Sequence, residues 1–422
     1  MAQSLSNYDN VLKEHYETLI SDTIVNGVVA FKTLDDSDRQ WAGRRVVHAV
    51  HSARSSGVGN RSESGTLPTA SNQSYQQSII TSTYMYGVGS ITGQVIEAGK
   101  NAFIGALSSE LELLTKDVIN DASRQCHGFG NGIVAQVATS ATASPETKIT
   151  LYNRFYKPGH PGARYLQANS SVIDGGTIAS PTADFSDVTV TNVSISESPG
   201  TKPDAIEASA GGMSGVSAGN FIFNRGAGGE GVEMKGLAGL IDNYSSTNIF
   251  GSVGFLSATV QGIDRSSFAN WNSIVLANSS TERIVDSQLL QKSFDRISVE
   301  SGLEPDLIWG HHDTVRAVLE SVTGDRRYMT PEFKLGSSNL TFNGIPIVKD
   351  RHAAFNSLYV LNRKALKMYT LSDFKFADQD GSVLSRSSNS DVFNFYIRAY
   401  KQLGIEIPKA CCVIRDIKVD FA

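Results

Sequence analysis

The spacing of apolar residues changes along the chain, and each change predicts a different kind of element. Over residues 7–25, Val11, Leu12, His15, Tyr16, Leu19 and Ile20 recur at helical spacing before the chain turns polar at "DDSDRQ", so one amphipathic helix is expected in an N-terminal arm. From Arg44, "RRVVHAVH" alternates as a strand does, and "YQQSIITSTYMYG" from Tyr75 reads as a second strand. The polar residues 52–74 between them are too long a loop for a compact domain and predict a projecting two-stranded arm. From Lys100 to His127, Phe103, Leu107, Leu111, Leu114, Val118 and Ala122 step by three or four, which predicts a long helix with one buried stripe, closed by Gly128.

Residues 128–222 switch to short β runs, "KITLYNRFY", "DVTVTNVSIS" and "GNFIF", separated by Gly, Pro, Ser and Asp. The last third alternates helix and strand. "STERIVDSQLLQKSFDRISVESG" predicts a helix with Val285, Leu289, Phe294 and Ile297 inward and Gly302 ending it, and "DTVRAVLESV" predicts another, closed by Gly324. "DLIWG", "LTFNGIPIVKD", "SLYVLN", "VFNFYIRAY" and "KACCVIRDI" read as strands. No internal repeat of fixed period is visible.

Composition and charge narrow the function. The 422 residues are 40% apolar and 19% charged, ordinary for a folded chain of two or three domains, and the formal net charge is -5. Tight binding to nucleic-acid phosphates needs a basic excess that the whole chain lacks. The N-terminus has no secretory pattern, and no run of about 18 apolar residues follows, so no membrane partner is expected. Cys126, Cys411 and Cys412 give neither a disulfide framework nor a metal knuckle, which suggests reduced thiols.

Three stretches invite a chemical reading. "NRGAGGEGVEMKGLAGLIDN" holds Gly226, Gly228 and Gly231 in the order G-x-G-x-x-G, followed by Lys235. A dinucleotide site needs a buried strand before it and an uninterrupted helix after it, but only "FIF" precedes and Gly236 and Gly239 interrupt, so turn chemistry is the better account. His311, His312 and Asp313 invite a metal reading, but adjacent histidines point apart, and Asp313 is placed to be a helix N-cap. Asp378, Asp380 and Gly381 resemble the start of a calcium loop that lacks its closing glutamate, so a polar turn is expected. No cofactor, metal or catalytic constellation is expected.

Charge on the arm and the long helix is more informative. Arg44, Arg45, Arg54 and Arg61 against Glu63 give residues 42–74 a balance of +3, while Glu110, Glu112, Asp117 and Asp121 against Lys116 and Arg124 give residues 101–127 a balance of -2. A basic arm and an acidic helix in one chain suit contacts between neighbouring copies, where complementary fields set register. A pair of solvated faces is the simpler alternative on charge alone.

In this order the parts resemble the major capsid proteins of tailed double-stranded-DNA phages. The resemblance runs over most of the chain, and its most telling stretches are "EMKGLAGLIDN", "LEPDLIWGHHDTVRAVLES", "LTFNGIPIVKDRHAAFNSLYVLNRKALKMY" and "FYIRAYKQLGIEIPKACCVI". It implies an α+β, Hong Kong 97-like fold: an N-terminal arm (1–40), an extended loop (41–90), a peripheral domain (91–232 and 373–404) whose spine helix is at about 100–127, and an axial domain (233–372 and 405–422). Residues 128–222 exceed the family's minimal core and are expected to hold an insertion. The implied function is structural, not enzymatic: pentamers and hexamers close an icosahedral head around packaged double-stranded DNA, in a virion assembled in the host cytoplasm. The implied partners are other copies of the chain, a separate scaffolding protein, a portal and decoration proteins. Isopeptide cross-linking through a loop lysine is not expected, because no lysine lies between Lys32 and Lys100. Only about 40 residues precede the arm, too few for a fused scaffolding segment. An encapsulin-type compartment shell is the alternative within the fold; an enzyme or glycan-binding β protein is the alternative outside it.

Overall fold

The fold is seen in a computed structural model that describes residues 27–94, 100–139, 148–154, 160–169, 171–196, 203–208, 216–226, 231–244, 258–323, 341–377, 385–386 and 390–419, with Thr23, Met213 and Gly228. The helix expected over 7–25, Gly324, and Asp378, Asp380 and Gly381 lie outside these residues, as do the side chains of Phe103 and Leu107.

A short helix, α1 (Val29–Thr33), leads to the hairpin of β1 (Arg45–Ala53) and β2 (Ser74–Thr81), paired antiparallel with Val46 opposite Ile80 and His51 opposite Tyr75. The single strand expected from Tyr75 divides at Ser82. Its second half, β3 (Thr83–Thr92), leaves the hairpin and pairs along β19 (Val392–Ile405), which on its other side pairs with β17 (Leu366–Phe376) and β18 (Ser385–Arg386). Residues on β3 alternate buried and exposed, so one face of this sheet is committed to the interior.

The helix α2 (Lys100–His127) lies on that face. Gly87 makes this possible, because a Cβ there would stand 2.5 Å from Val118 Cγ2 and would lift helix from sheet. Leu111 and Ala122 are buried, with Leu114 and Val118 half-buried beside them. The last turn is buried on every side, more than the single stripe the spacing predicts. Gly128 does not adopt the left-handed cap conformation; its N–H donates to Gln125 O at 3.0 Å, and the left-handed glycines are Gly130 (φ 82) and Gly132 (φ 75).

Next comes a closed barrel in the order β4 (Ile133–Thr139), β5 (Lys148–Leu151), β8 (Asp204–Ala208), β7 (Phe185–Ser194), β6 (Val172–Gly176), β9 (Phe221–Asn224). It has its own core of Val134, Val137, Ile149, Leu151, Ile173, Val190, Ile206 and Ile222. Closure leaves no strand edge open, so this unit is self-contained.

After α3 (Leu237–Leu240) and the small hairpin of β10 (Thr259–Val260) and β11 (Ile263–Asp264), the chain builds a mixed sheet. Its order is β12 (Ile274–Leu276), β20 (Cys412–Ile414), β16 (Leu358–Leu361), β13 (Leu307–Gly310), β15 (Ile345–Lys349), β14 (Thr341–Phe342). Two helices, α4 (Ser287–Ser301) and α5 (His312–Thr323), contribute Leu290, Phe294, Ile297, Val315 and Val318 to the core on one side. Helix α4 starts later than its apolar spacing suggests, with the Asp286 carboxylate accepting Leu289 N–H at 2.7 Å; Val285 is buried ahead of it, and Leu290 rather than Leu289 is fully enclosed. Asn343 (φ 50) and Gly344 (φ 79) make the tight turn between β14 and β15. The boundaries that the resemblance implies at 372/373 and 404/405 fall within β17, where its pairing with β19 shifts register around Ser372, and at the end of β19.

Candidate functional site

Two surfaces concentrate the residues singled out by charge: the hairpin and the long helix. The base of the hairpin is tied to the body. Val46 and Ile80 pack on Tyr369, Trp41 Nε1 donates to Thr370 O at 3.1 Å, and Ile79 N–H donates to Gln261 O at 2.7 Å. Arg39 reaches Glu406 with two N–H groups, at 2.7 and 3.2 Å, and the Tyr369 hydroxyl donates to the same carboxylate at 2.9 Å. Beside them His48 is buried, and that burial, with Arg39 nearby, holds its imidazole below its ordinary pKa and therefore neutral.

The tip, residues 54–73, has no such ties among the described residues. Val58 is 89% exposed and Leu67 82% exposed. Arg44, Arg45, Arg54 and Arg61 are all exposed, but Arg61 is engaged locally, donating to Thr66 O at 2.9 Å and Asn60 O at 2.8 Å within the tip.

On the long helix Glu110, Glu112, Asp117 and Asp121 are exposed. Lys116 donates to Glu112 at 2.6 Å, and this hydrogen bond holds the carboxyl below its ordinary pKa. Asp121 is spent inside the chain, accepting from Arg124 at 2.8 Å and from Gln125 Nε2 at 2.7 Å. Among the described residues no ion pair joins the hairpin arginines to these acids, so the two surfaces are separate within one chain.

Buried charge gathers at the C-terminal end of the same helix, where sequence spacing gave no warning. Arg124 Nη1 donates to Glu233 Oε2 at 2.9 Å, with both side chains under a tenth exposed. His127 Nε2 meets Asp350 Oδ2 at 3.0 Å, and the His127 ring stands edge-on to Trp309 at 5.2 Å. Burial pushes the Asp350 carboxyl up, but the hydrogen bond with His127 and the His352 N–H prevail and hold it at about 2. Burial lowers the His352 imidazole to about 3, with Tyr165 stacked on it at 5.7 Å.

The glycine-rich stretch 224–243 turns out to wrap this helix end. Gly226 (φ 64) donates its N–H to Asp174 at 3.0 Å, Gly231 (φ 82) donates to Gly130 O at 3.1 Å, and Met234 N–H donates to Gln125 Oε1 at 3.2 Å. A Cβ at Gly236 would collide with the carbonyl oxygens of Gln125 and Cys126, so the chain crosses the helix terminus as closely as backbone can. Only the short α3 follows, not the helix a phosphate-binding loop requires.

At His311, His312 and Asp313 the capping roles are exchanged. Helix α5 begins at His312, and Asp313 donates its N–H to His311 Nδ1 at 3.2 Å, so the histidine is the cap. Burial holds the His311 imidazole below its ordinary pKa; a neutral Nδ1 that accepts this N–H forms no ion pair with the Asp313 carboxylate 3.2 Å away. No group of three metal-ligating side chains occurs among the described residues, and none of their helices is long and apolar enough to cross a membrane.

No protein-family model matches the sequence, and no curated protein matches it either. Among solved structures, the chain is similar to one from the cyanophage A-1(L) capsid asymmetric unit, at 14% identity and TM-score 0.51, over 95% of this chain and 93% of that one. It also aligns with the capsid of an empty GTA particle, at 8% identity and TM-score 0.48, over 93% and 90% of the two chains. A chain of the holo-SrpI encapsulin complex from Synechococcus elongatus aligns at 12% identity and TM-score 0.28, over 37% of this chain and 58% of that one. The likeness to the cyanophage chain runs nearly end to end and establishes the capsid fold expected from the order of elements.

Proposed function

We propose that this chain is a major capsid protein whose copies assemble into pentamers and hexamers and close an icosahedral head around double-stranded DNA. The observation that carries the reading is the hairpin: its base is fixed to the body, while its tip, with two large apolar side chains in solvent, is packed on no other element among the described residues of its own chain. Such a tip on a capsid fold is accounted for when it lies on a neighbouring copy. Arg44, Arg45 and Arg54 are the charges that guide it there, and Glu110, Glu112 and Asp117 are the acids that receive it. Arg61, Glu112 and Asp121 contribute less, since each already has a partner at home. The -5 balance suits a container whose wall does not grip the DNA passing it. A scaffolding protein, a portal and decoration proteins complete the assembly, and the closed barrel is the added unit carried on the peripheral domain.

Negative-stain electron microscopy of the full chain, expressed alone and with its candidate scaffolding protein, tests the proposal. Closed particles or capsomer rings are expected. A monodisperse small oligomer in both samples would reject it in favour of an enzyme or glycan-binding protein.

A further inference from the structure

A cavity of about 300 Å³ lies where the barrel meets the axial sheet, lined in part by Asn153, Arg154, Arg164, Asp204, His311 and Phe355. Phe355 forms one wall, with the guanidinium carbons of Arg154 and Arg164 at 5.3 and 5.5 Å from its ring centroid. Two like charges on one ring repel unless something answers them. Arg154 is answered by Asp313 Oδ2 at 3.2 Å. Asp204 is occupied by Asn153 Nδ2 at 2.8 Å and by the N–H groups of Ala163 and Ser196 at 2.8 and 2.9 Å, so its charge is already spread over three donors.

Arg164 differs from both. It stacks on Phe355 and Tyr165, but among the described residues it has no hydrogen bond and no ion pair. Burial holds it below its ordinary pKa, as do Arg351 and Arg154 nearby. Its guanidinium is half-buried beside the cavity, and with no carboxylate or carbonyl among the described residues holding its N–H fork, the fork is free to take a bound anion. A water fills about 30 Å³ of liquid volume, so the cavity has room for a tetrahedral or planar oxyanion with its remaining waters.

We propose that this cavity binds a small oxyanion, inorganic phosphate or a carboxylate, with Arg164 as its principal ligand and Arg154 as a second donor. Nothing in this assignment depends on what the assembled chain encloses. The bound anion would neutralise the charge held between barrel and axial sheet and so lock the two together.

The test is isothermal titration of the purified full chain with inorganic phosphate, and in parallel with acetate, in low-salt zwitterionic buffer, alongside thermal melts. Saturable binding at a single site is expected. Arg164→Met should weaken it at least tenfold and abolish the anion-dependent rise in melting temperature, while melting no lower than wild type without anion. Lys375→Met, at an exposed position on β17 away from the cavity, should leave binding unchanged. Should Arg164→Met fail to fold, Arg164→Lys, which keeps the charge but loses the planar fork, should still weaken binding several-fold. Saturation by phosphate but not acetate would assign a phosphate-bearing ligand, and the converse a carboxylate. No saturable binding of either anion at millimolar concentration, or binding unaltered in the Arg164 variants, would overturn the proposal.

Discussion

The hairpin tip and the C-terminal end of the long helix are both polar and rich in charge, yet they use it in opposite ways. At the helix end, Arg124 is buried against Glu233 and His127 Nε2 against Asp350, and Gly236 lets the returning chain press against the helix terminus. At the tip, Arg54, Val58 and Leu67 face solvent, and Arg61 bonds only to its own loop. Charge buried with its partner holds one subunit together; on the proposed function, charge and apolar surface left outside serve contact with another copy. Stability and assembly should therefore respond to different substitutions.

The largest expected effect tests that separation. Deleting residues 54–73 should abolish stable shells while leaving the subunit's melting temperature where it was; closed particles at normal yield would sink the role given to the tip. Next, Glu233→Ala leaves the buried Arg124 guanidinium with only the more exposed Asp121 as partner and should cost up to about 3–5 kcal/mol in chemical denaturation of the subunit. Gly236→Ala drives a methyl group into the Gln125 and Cys126 carbonyls and should cost about 1–3 kcal/mol, with assembly impaired only as far as folding is.

Acid should weaken the helix end before it touches the tip. His352 falls from 6.5 to about 3 in the folded chain, so below pH 6.5 the unfolded chain takes up a proton that the folded chain refuses. Stability is then lost as pH falls from 6.5 towards 3, and His352→Asn should flatten that part of a denaturation-versus-pH curve. Asp350 adds a later loss, as pH falls through its ordinary 3.8 to about 2. The smallest effect is expected from Glu112→Gln, whose partner Lys116 is solvent-screened: no measurable change in subunit melting, with any effect confined to the salt dependence of assembly.

How far the sequence could be read follows from how local each signal is. The long helix showed in its spacing, with Lys100 and His127 as ends, whereas the single strand expected over "LTFNGIPIVKD" is a hairpin that turns at Asn343 and Gly344. The barrel did not show, because "IVAQVAT", "VIDGG" and "DAIEA" carry little alternation, and a Cβ on Gly175 would strike the Phe185 ring that closes over it. The break at Ser82 was hidden because β2 and β3 have similar composition and diverge only through different pairing partners. Asp313 looked like the cap because aspartate commonly is one; a neutral histidine nitrogen in that role has no sequence signature. The buried pairs at the helix end join residues 109 and 223 positions apart, a separation no local pattern reports. The charged surfaces were legible residue by residue, but not which members were already engaged, as Asp121 and Arg61 are.

Amide hydrogen exchange, compared between assembled particles and dispersed subunits, tests the division of labour most directly. The account predicts that residues 45–50 and 76–81 and the end of the long helix are protected in both states. Residues 54–73 should exchange fast in dispersed subunits and slowly in particles. A tip that exchanges as fast in closed particles as in dispersed subunits would contradict the claim that it finds its partner on a neighbouring copy.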